Sequence, residues 1–315
     1  MKHDFKITAI LVLFFILAQI VGLILINIDI SEIKVVDGQI ELTHADTSLG
    51  PRPEITGLGA FAYIAIGIAI GTLLVLLIIR AGKINIWKAW FFLAVFIATS
   101  MALGVVMNNY LALGIALVLA LIKIFKPNVF IHNLTEVLMY AGIAVFLVPL
   151  LNVFWTAILL IVISIYDIYA VWKSKHMVKM AKFQAKSQVF AGLFIPYKSS
   201  TSKTRTKIDM VIKPPKTLRT TSKAGKTFKN PEQRNAILGG GDIAFPLLFT
   251  GVVMESLLTQ GLPKLAALSQ SLIITLTTTI ALALLFIFAK KDKFYPAMPF
   301  ISAGCFIGYF IVLLL

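Results

Sequence analysis

Long unbroken runs of apolar residues constrain this chain more than any other feature. Read for stretches of roughly 17 to 25 apolar residues, the length that crosses a bilayer as helix, the sequence offers nine. They lie at approximately 7–28, 57–79, 87–107, 110–125, 134–151, 154–172, 236–258, 267–289 and 294–314. Backbone in hydrocarbon must satisfy its own N–H and C=O groups, which leaves only helices and closed barrels, and runs of this length select helices. Composition agrees. Of 315 residues, 59% are apolar and 14% charged, against about a quarter charged in a soluble domain. The fold class expected is an all-α polytopic membrane protein with nine transmembrane helices. The first run follows the positively charged Met1 to Lys6 but shows no clear small-x-small cleavage site, so it reads as a retained helix rather than a signal peptide.

Charge then orients the helices. Cytoplasmic loops collect Lys and Arg. With nine spans and an inside N-terminus, the inner segments hold every one of the 29 basic residues except Lys34, Arg52 and Lys264. The expected topology is N-terminus inside and C-terminus outside. The chain divides into helices 1–6 over 1–172, a basic cytoplasmic loop over 173–235, and helices 7–9 over 236–315. The outer loop 29–56 is acidic, and its "IKVVDGQIEL" suits a little extended structure. The loop 173–235 carries sixteen basic residues against Asp209 and Glu232. Its middle, Tyr197 to Asn230, is rich in Lys, Ser, Thr and Pro and reads as a flexible, solvated linker. Such a segment suits anionic membrane lipids. Lacking interleaved aromatics or a recognisable motif, it gives no reason to expect nucleic acid.

Few groups remain for chemistry. The single Cys305 rules out a disulfide framework and a cysteine metal site. His3, His44, His132 and His176 show no ligand spacing, so no metal or cofactor is expected. Four acids lie in or at the edge of spans: Glu136, Asp167, Asp242 and Glu255. An ionisable group in a membrane costs about 2.5 kcal/mol or more on insertion scales, and marks function by default. Glu136 starts its helix, where a carboxylate favours the helix dipole, and Glu255 sits near the outer end of its own. Both read as structural.

Asp167 and Asp242 are embedded. Asp167 precedes Lys173 by six residues, about 9 Å of helix, and Asp242 follows Arg234 by eight, about 12 Å. Two consecutive antiparallel helices thus carry carboxylates at nearly the same depth. In a small low-dielectric site, one such acid keeps its proton while the other is charged. The pair can then activate water toward a carbonyl. Two aligned acids serve a proton-coupled transporter or cation channel equally well. A membrane scaffold acting through its basic loop is a third reading.

Backbone irregularity accompanies the acids. Gly239, Gly240 and Gly241 remove bulk before Asp242 and let another backbone approach. Pro246 has no N–H for the carbonyl of residue 242 and loosens the helix there. The alternative is that the glycines are loop and Asp242 caps the helix. Near the inner end of the last span, Pro296-Ala297-Met298-Pro299 does not build a regular first turn. Its freed N–H and C=O groups could pair with an extended peptide. Gly67-x-x-x-Gly71 in helix 2 would allow close helix packing.

Together these residues resemble the presenilin and signal peptide peptidase family of intramembrane aspartyl proteases. Tyr166-Asp167 matches the family's Tyr-Asp in helix 6, and Gly239-Gly240-Gly241-Asp242 its Gly-x-Gly-Asp in helix 7. Pro296-Ala297-Met298 matches its Pro-Ala-Leu in helix 9. Three short motifs in order, in the right helices of nine, make the resemblance specific, most firmly over 154–314. The inside N-terminus is similar to presenilin, and the small size to a microbial, archaeal homologue in the plasma membrane. The resemblance implies an aspartic endopeptidase with Asp167 and Asp242 as the catalytic dyad. It also implies Tyr166, Gly239, Gly240, Gly241, Pro296, Ala297 and Met298 as substrate-binding residues, and single-span or signal-peptide-like membrane proteins as substrates. Met298 replaces the usual Leu, a volume-conserving change, and Gly240 fills the variable position with the smallest residue.

Overall fold

The computed structural model describes residues 5–173, 189–198, 233–289 and 295–315. The Lys/Ser/Thr-rich stretch after Lys198 and the cluster Lys290 to Lys293 lie outside the described residues. Among those described there are nine α-helices: α1 (Phe5–Asp29), α2 (Gly57–Ala81), α3 (Ile84–Gly104), α4 (Asn109–Phe125), α5 (Val129–Leu147), α6 (Val153–Ile168), α7 (Gly241–Thr259), α8 (Lys264–Phe288) and α9 (Met298–Leu313). With short extensions at some ends, all but α4 and α9 are long and apolar enough to cross a membrane. Those two are apolar but shorter, at 17 and 16 residues. At 1.5 Å per residue they reach about 25 Å.

Asparagines set three helix starts. Asn108 accepts a hydrogen bond from Tyr110 N–H, Asn128 from Phe130 N–H and Asn152 from Trp155 N–H, each at 2.9 Å. Each cap satisfies an orphan donor. Asn128 begins α5 five residues earlier than the apolar run at 134 suggests, because polar His132 and Asn133 fall inside the helix.

Two hairpins close the ends of the bundle. The first is β1 (Ile30–Val36) and β2 (Gln39–His44), turning at Asp37-Gly38. Both turn residues have positive φ, 51° and 79°, the geometry that matches strand twist in a two-residue loop. Side chains tie this hairpin to the helices. Arg52 donates to Asp29 at 2.7 Å and to Val145 O at 3.2 Å, Lys264 donates to Ile30 O at 2.7 Å, and His44 pairs with Glu255 at 2.8 Å. Glu255 is thus structural, as its position near a helix end suggests.

The second hairpin, at the opposite end, departs from the sequence reading. Gly192–Lys198 (β3) pairs antiparallel with Gln233–Gly239 (β4), Gly192 opposite Gly239. The loop 173–235 is therefore anchored at both margins. The seventh span does not begin as helix at 236, because α7 starts only at Gly241. Ile237 and Leu238 are apolar for a strand's reason. Ala236 and Leu238 are buried while Ile237 faces outward, the period-2 alternation of a half-buried strand.

Helices α5 and α7 form the centre of the molecule. In each, 67% of the most apolar window is buried, against 6% in α2. The helix that carries Asp242 is enclosed by others, and α2 stands at the periphery.

Candidate active site

Asp167 lies in the last turn of α6, just before Tyr169–Lys173 winds as π-helix. Wider turns of this kind are frequent at functional sites. The Asp167 side chain is buried and accepts backbone hydrogen bonds from Met298, at 3.1 Å, and from Ala297. Those donors are the first residue and the cap of α9. A helix N-terminus presents unsatisfied N–H groups and a positive dipole end to an anion. The two prolines complete the arrangement. Pro299 has no N–H to satisfy, and the amides of Phe300 and Ile301 both bond to Ala297 O at 3.1 Å. In this state the amides of Ala297 and Met298 bind the carboxylate rather than standing free for an extended peptide. One turn along both helices, Ser164 and Ser302 hydroxyls meet at 2.9 Å, fixing α6 against α9.

Asp242 lies in the first turn of α7 and is half-buried. Neither reading of the glycines fits in full: Gly239 ends β4, Gly240 is the cap of α7 and Gly241 its first residue, so Asp242 lies in the first turn without capping the helix. Its carboxylate folds back over Gly239, where a Cβ would fall 3.0 Å from Asp242 Oδ2. Pro246 lies inside α7 and leaves the Asp242 carbonyl without its usual donor. On the next carbonyl, Gln19 of α1 supplies a donor, Nε2 to Ile243 O at 2.9 Å. Helix α6 packs against both α7 and α9, and the Asp167 and Asp242 carboxylates lie within electrostatic reach of one another. The structure therefore gathers Asp167, Asp242, Gly239, Gly240, Gly241, Ala297 and Met298 at one end of the bundle.

Comparison with known proteins bears directly on this arrangement. A family model described as signal-peptide peptidase, presenilin aspartyl protease matches residues 12–315. The chain belongs to that family. Two solved structures of a presenilin family intramembrane aspartate protease, in space groups C222 and P2, share its fold. They superpose with TM-scores of 0.54 and 0.57 at 15% identity. The matches cover 96% of this chain, and 94% and 96% of those chains. No curated protein sequence matches the chain. As a presenilin-family protein it is an integral, multi-pass membrane protein of aspartyl-protease type.

Tyr166 stands apart from the other family positions. Its side chain is exposed, and its hydroxyl hydrogen-bonds Thr72 of α2, so it bridges α6 to the most peripheral helix. Sequence reasoning also passed over a buried cluster. Lys123, read as a charge of an inner loop, is buried and ion-paired with Glu136, which is fully enclosed within α5 rather than at a helix start. The signal for it was two opposite charges flanking the tight Lys126-Pro127-Asn128 connection, inside otherwise apolar runs.

Proposed function

We propose that the protein hydrolyses peptide bonds within transmembrane segments of membrane-protein substrates, with Asp167 and Asp242 sharing one proton. What supports this reading is that both carboxylates lie at one end of the bundle within electrostatic reach of one another, each beside a helix N-terminus and irregular backbone. The charged member takes a proton from water as the oxygen adds to the scissile carbonyl. The protonated member donates to the carbonyl oxygen. Collapse of the tetrahedral adduct returns a proton to the leaving amine and leaves a carboxyl product. Protons come off the pair, not off either residue.

A substrate helix hides its carbonyls in its own hydrogen bonds and must unwind before water reaches them. In this reading the glycine run beside Asp242 holds that unwound stretch, joined by Pro296-Ala297-Met298 once Asp167 releases the Ala297 and Met298 amides. The charge asymmetry puts this end at the cytoplasmic face, where water enters. Purified protein incubated with a tagged transmembrane peptide should give fragments by mass spectrometry. Asp167→Asn and Asp242→Asn should each lower cleavage by about 10²-fold or more, the scale of a lost acid–base group. Near-normal cleavage by either variant rules the dyad out.

A further inference from the structure

A carboxylate that the dyad does not use lies in the next helix. Glu136 of α5 is fully buried and accepts three hydrogen bonds. Oε1 receives Lys123 Nζ from α4, and Oε2 receives the Tyr140 hydroxyl and, at 2.8 Å, the N–H of Gly192. Lys123 is buried too, its ammonium 5.2 Å from the Phe91 ring centre. Burying an ion pair carries a large desolvation penalty, and apolar residues of similar volume often serve stability as well or better. This pair does something apolar residues do not. It grips backbone.

The first grip is on β3. Glu136 holds Gly192 N–H, His132 Nε2 lies 2.8 Å from Gly192 O, and Asn133 clasps Phe194 both ways, donating to its O at 2.8 Å and accepting from its N–H at 2.9 Å. Gly192 is the register partner of Gly239, and a Cβ on Gly192 would fall 2.4 Å from Leu238 O. The second grip is on Gly240. A Cβ there would meet the Tyr140 hydroxyl oxygen at 2.6 Å and ring carbons at 3.0 and 3.1 Å. Tyr140 occupies the space a side chain at residue 240 would need, and Glu136 directs its hydroxyl. One carboxylate thus fixes the strand opposite Gly239 and the wall against Gly240, just before Asp242.

We propose, building on the assignment of Asp242 to the dyad, that Lys123, Glu136 and Tyr140 are positioning residues. Their buried network sets the path of the glycine run, and so the approach of the Asp242 carboxylate to Asp167. Gly240 is the smallest residue because Tyr140 has taken its side-chain space. The hydrogen bonds of the three run to one another and to backbone.

The test uses the full chain in detergent, the tagged transmembrane peptide, and separate kcat and KM. Glu136→Gln alone leaves Lys123 charged and unpaired, so it is combined with Lys123→Met, while Tyr140→Phe removes only the hydroxyl. Both proteins are expected to fold and to lose about ten- to a hundredfold in kcat, the scale of a small misplacement at a reacting centre. KM should rise by a smaller factor than kcat falls, since the glycine run also holds substrate but the approach of Asp242 to Asp167 bears on the chemical step alone. Gly240→Ala should also lose activity. Adding Tyr140→Phe to it should cost less than the product of the two single losses, because the nearest atom the new Cβ strikes, the hydroxyl oxygen at 2.6 Å, is gone. If the folded neutral pair and Tyr140→Phe both keep parental kcat, or if the Tyr140 and Gly240 losses multiply, the network only packs and the proposal is overturned. Should the neutral pair not fold, Tyr140→Phe decides. Asp242→Asn runs beside them: if it cleaves normally, the dyad assignment has failed instead.

Discussion

At the scale of single residues, the two aspartates proposed as the dyad have different surroundings. Asp167 is buried against the start of α9, receiving backbone N–H groups from Ala297 and Met298. Asp242 is half-buried at the start of α7, against bare glycine backbone. Both therefore sit where a negative charge is favoured by a helix N-terminus, yet their nearness disfavours two charges at once. A pair working with one shared proton has no base when both members are protonated and no acid when both are ionised. kcat should then trace a bell against pH, falling on both sides of a single maximum. A kcat that does not fall on the acid side would mean that no carboxylate acts as base.

At the scale of elements, the β3–β4 hairpin does what a helix could not: it delivers the glycine run from the side, along α5, into the first turn of α7. Gly192 is the residue this depends on. Its φ is +148° and its missing side chain makes room for Leu238 O. Gly192→Ala should destabilise the protein by about 1–3 kcal/mol, as overpacking does, and lower cleavage with it. A thermal melt unchanged from the parent would show that the hairpin tolerates the methyl group by moving. This hairpin was not legible in the sequence, and the reason is physical. "NAILG" is too short for its alternation to be told from the end of a membrane helix, and its partner strand lies about forty residues away. Asp167 and Asp242 were legible because a carboxylate among apolar residues is conspicuous locally. Glu136 carried the same local signal and reads rightly as structural, but it lies inside α5 in an ion pair rather than at a helix start. Its partners, Lys123 and Gly192, come from other elements, and only the folded register brings them together.

At the scale of the whole molecule, alternating helices give the bundle two unlike ends. One carries the β1–β2 hairpin, the other the glycine run, the aspartates and the margins of the basic loop. Three basic residues interrupt the charge pattern at the hairpin end, and each is engaged. Lys34 pairs with Glu32 at 2.5 Å, Arg52 pairs with the buried Asp29, and Lys264 donates to the carbonyls of Asn27 and Ile30. At the opposite end Lys123 is likewise neutralised by Glu136. Subtracting engaged charges from both ends sharpens the asymmetry, because none of the three exceptions is left as a bare charge. By the positive-inside rule, the orientation proposed for the dyad has the aspartates beneath the cytoplasmic face and the hairpin outside. In a Cys305→Ala background, a membrane-impermeant maleimide should label Gly38→Cys in intact cells. Ser200→Cys, in the basic loop, should label only after the membrane is permeabilised. The reverse pattern would invert the molecule, and water would then approach the dyad from the outer face.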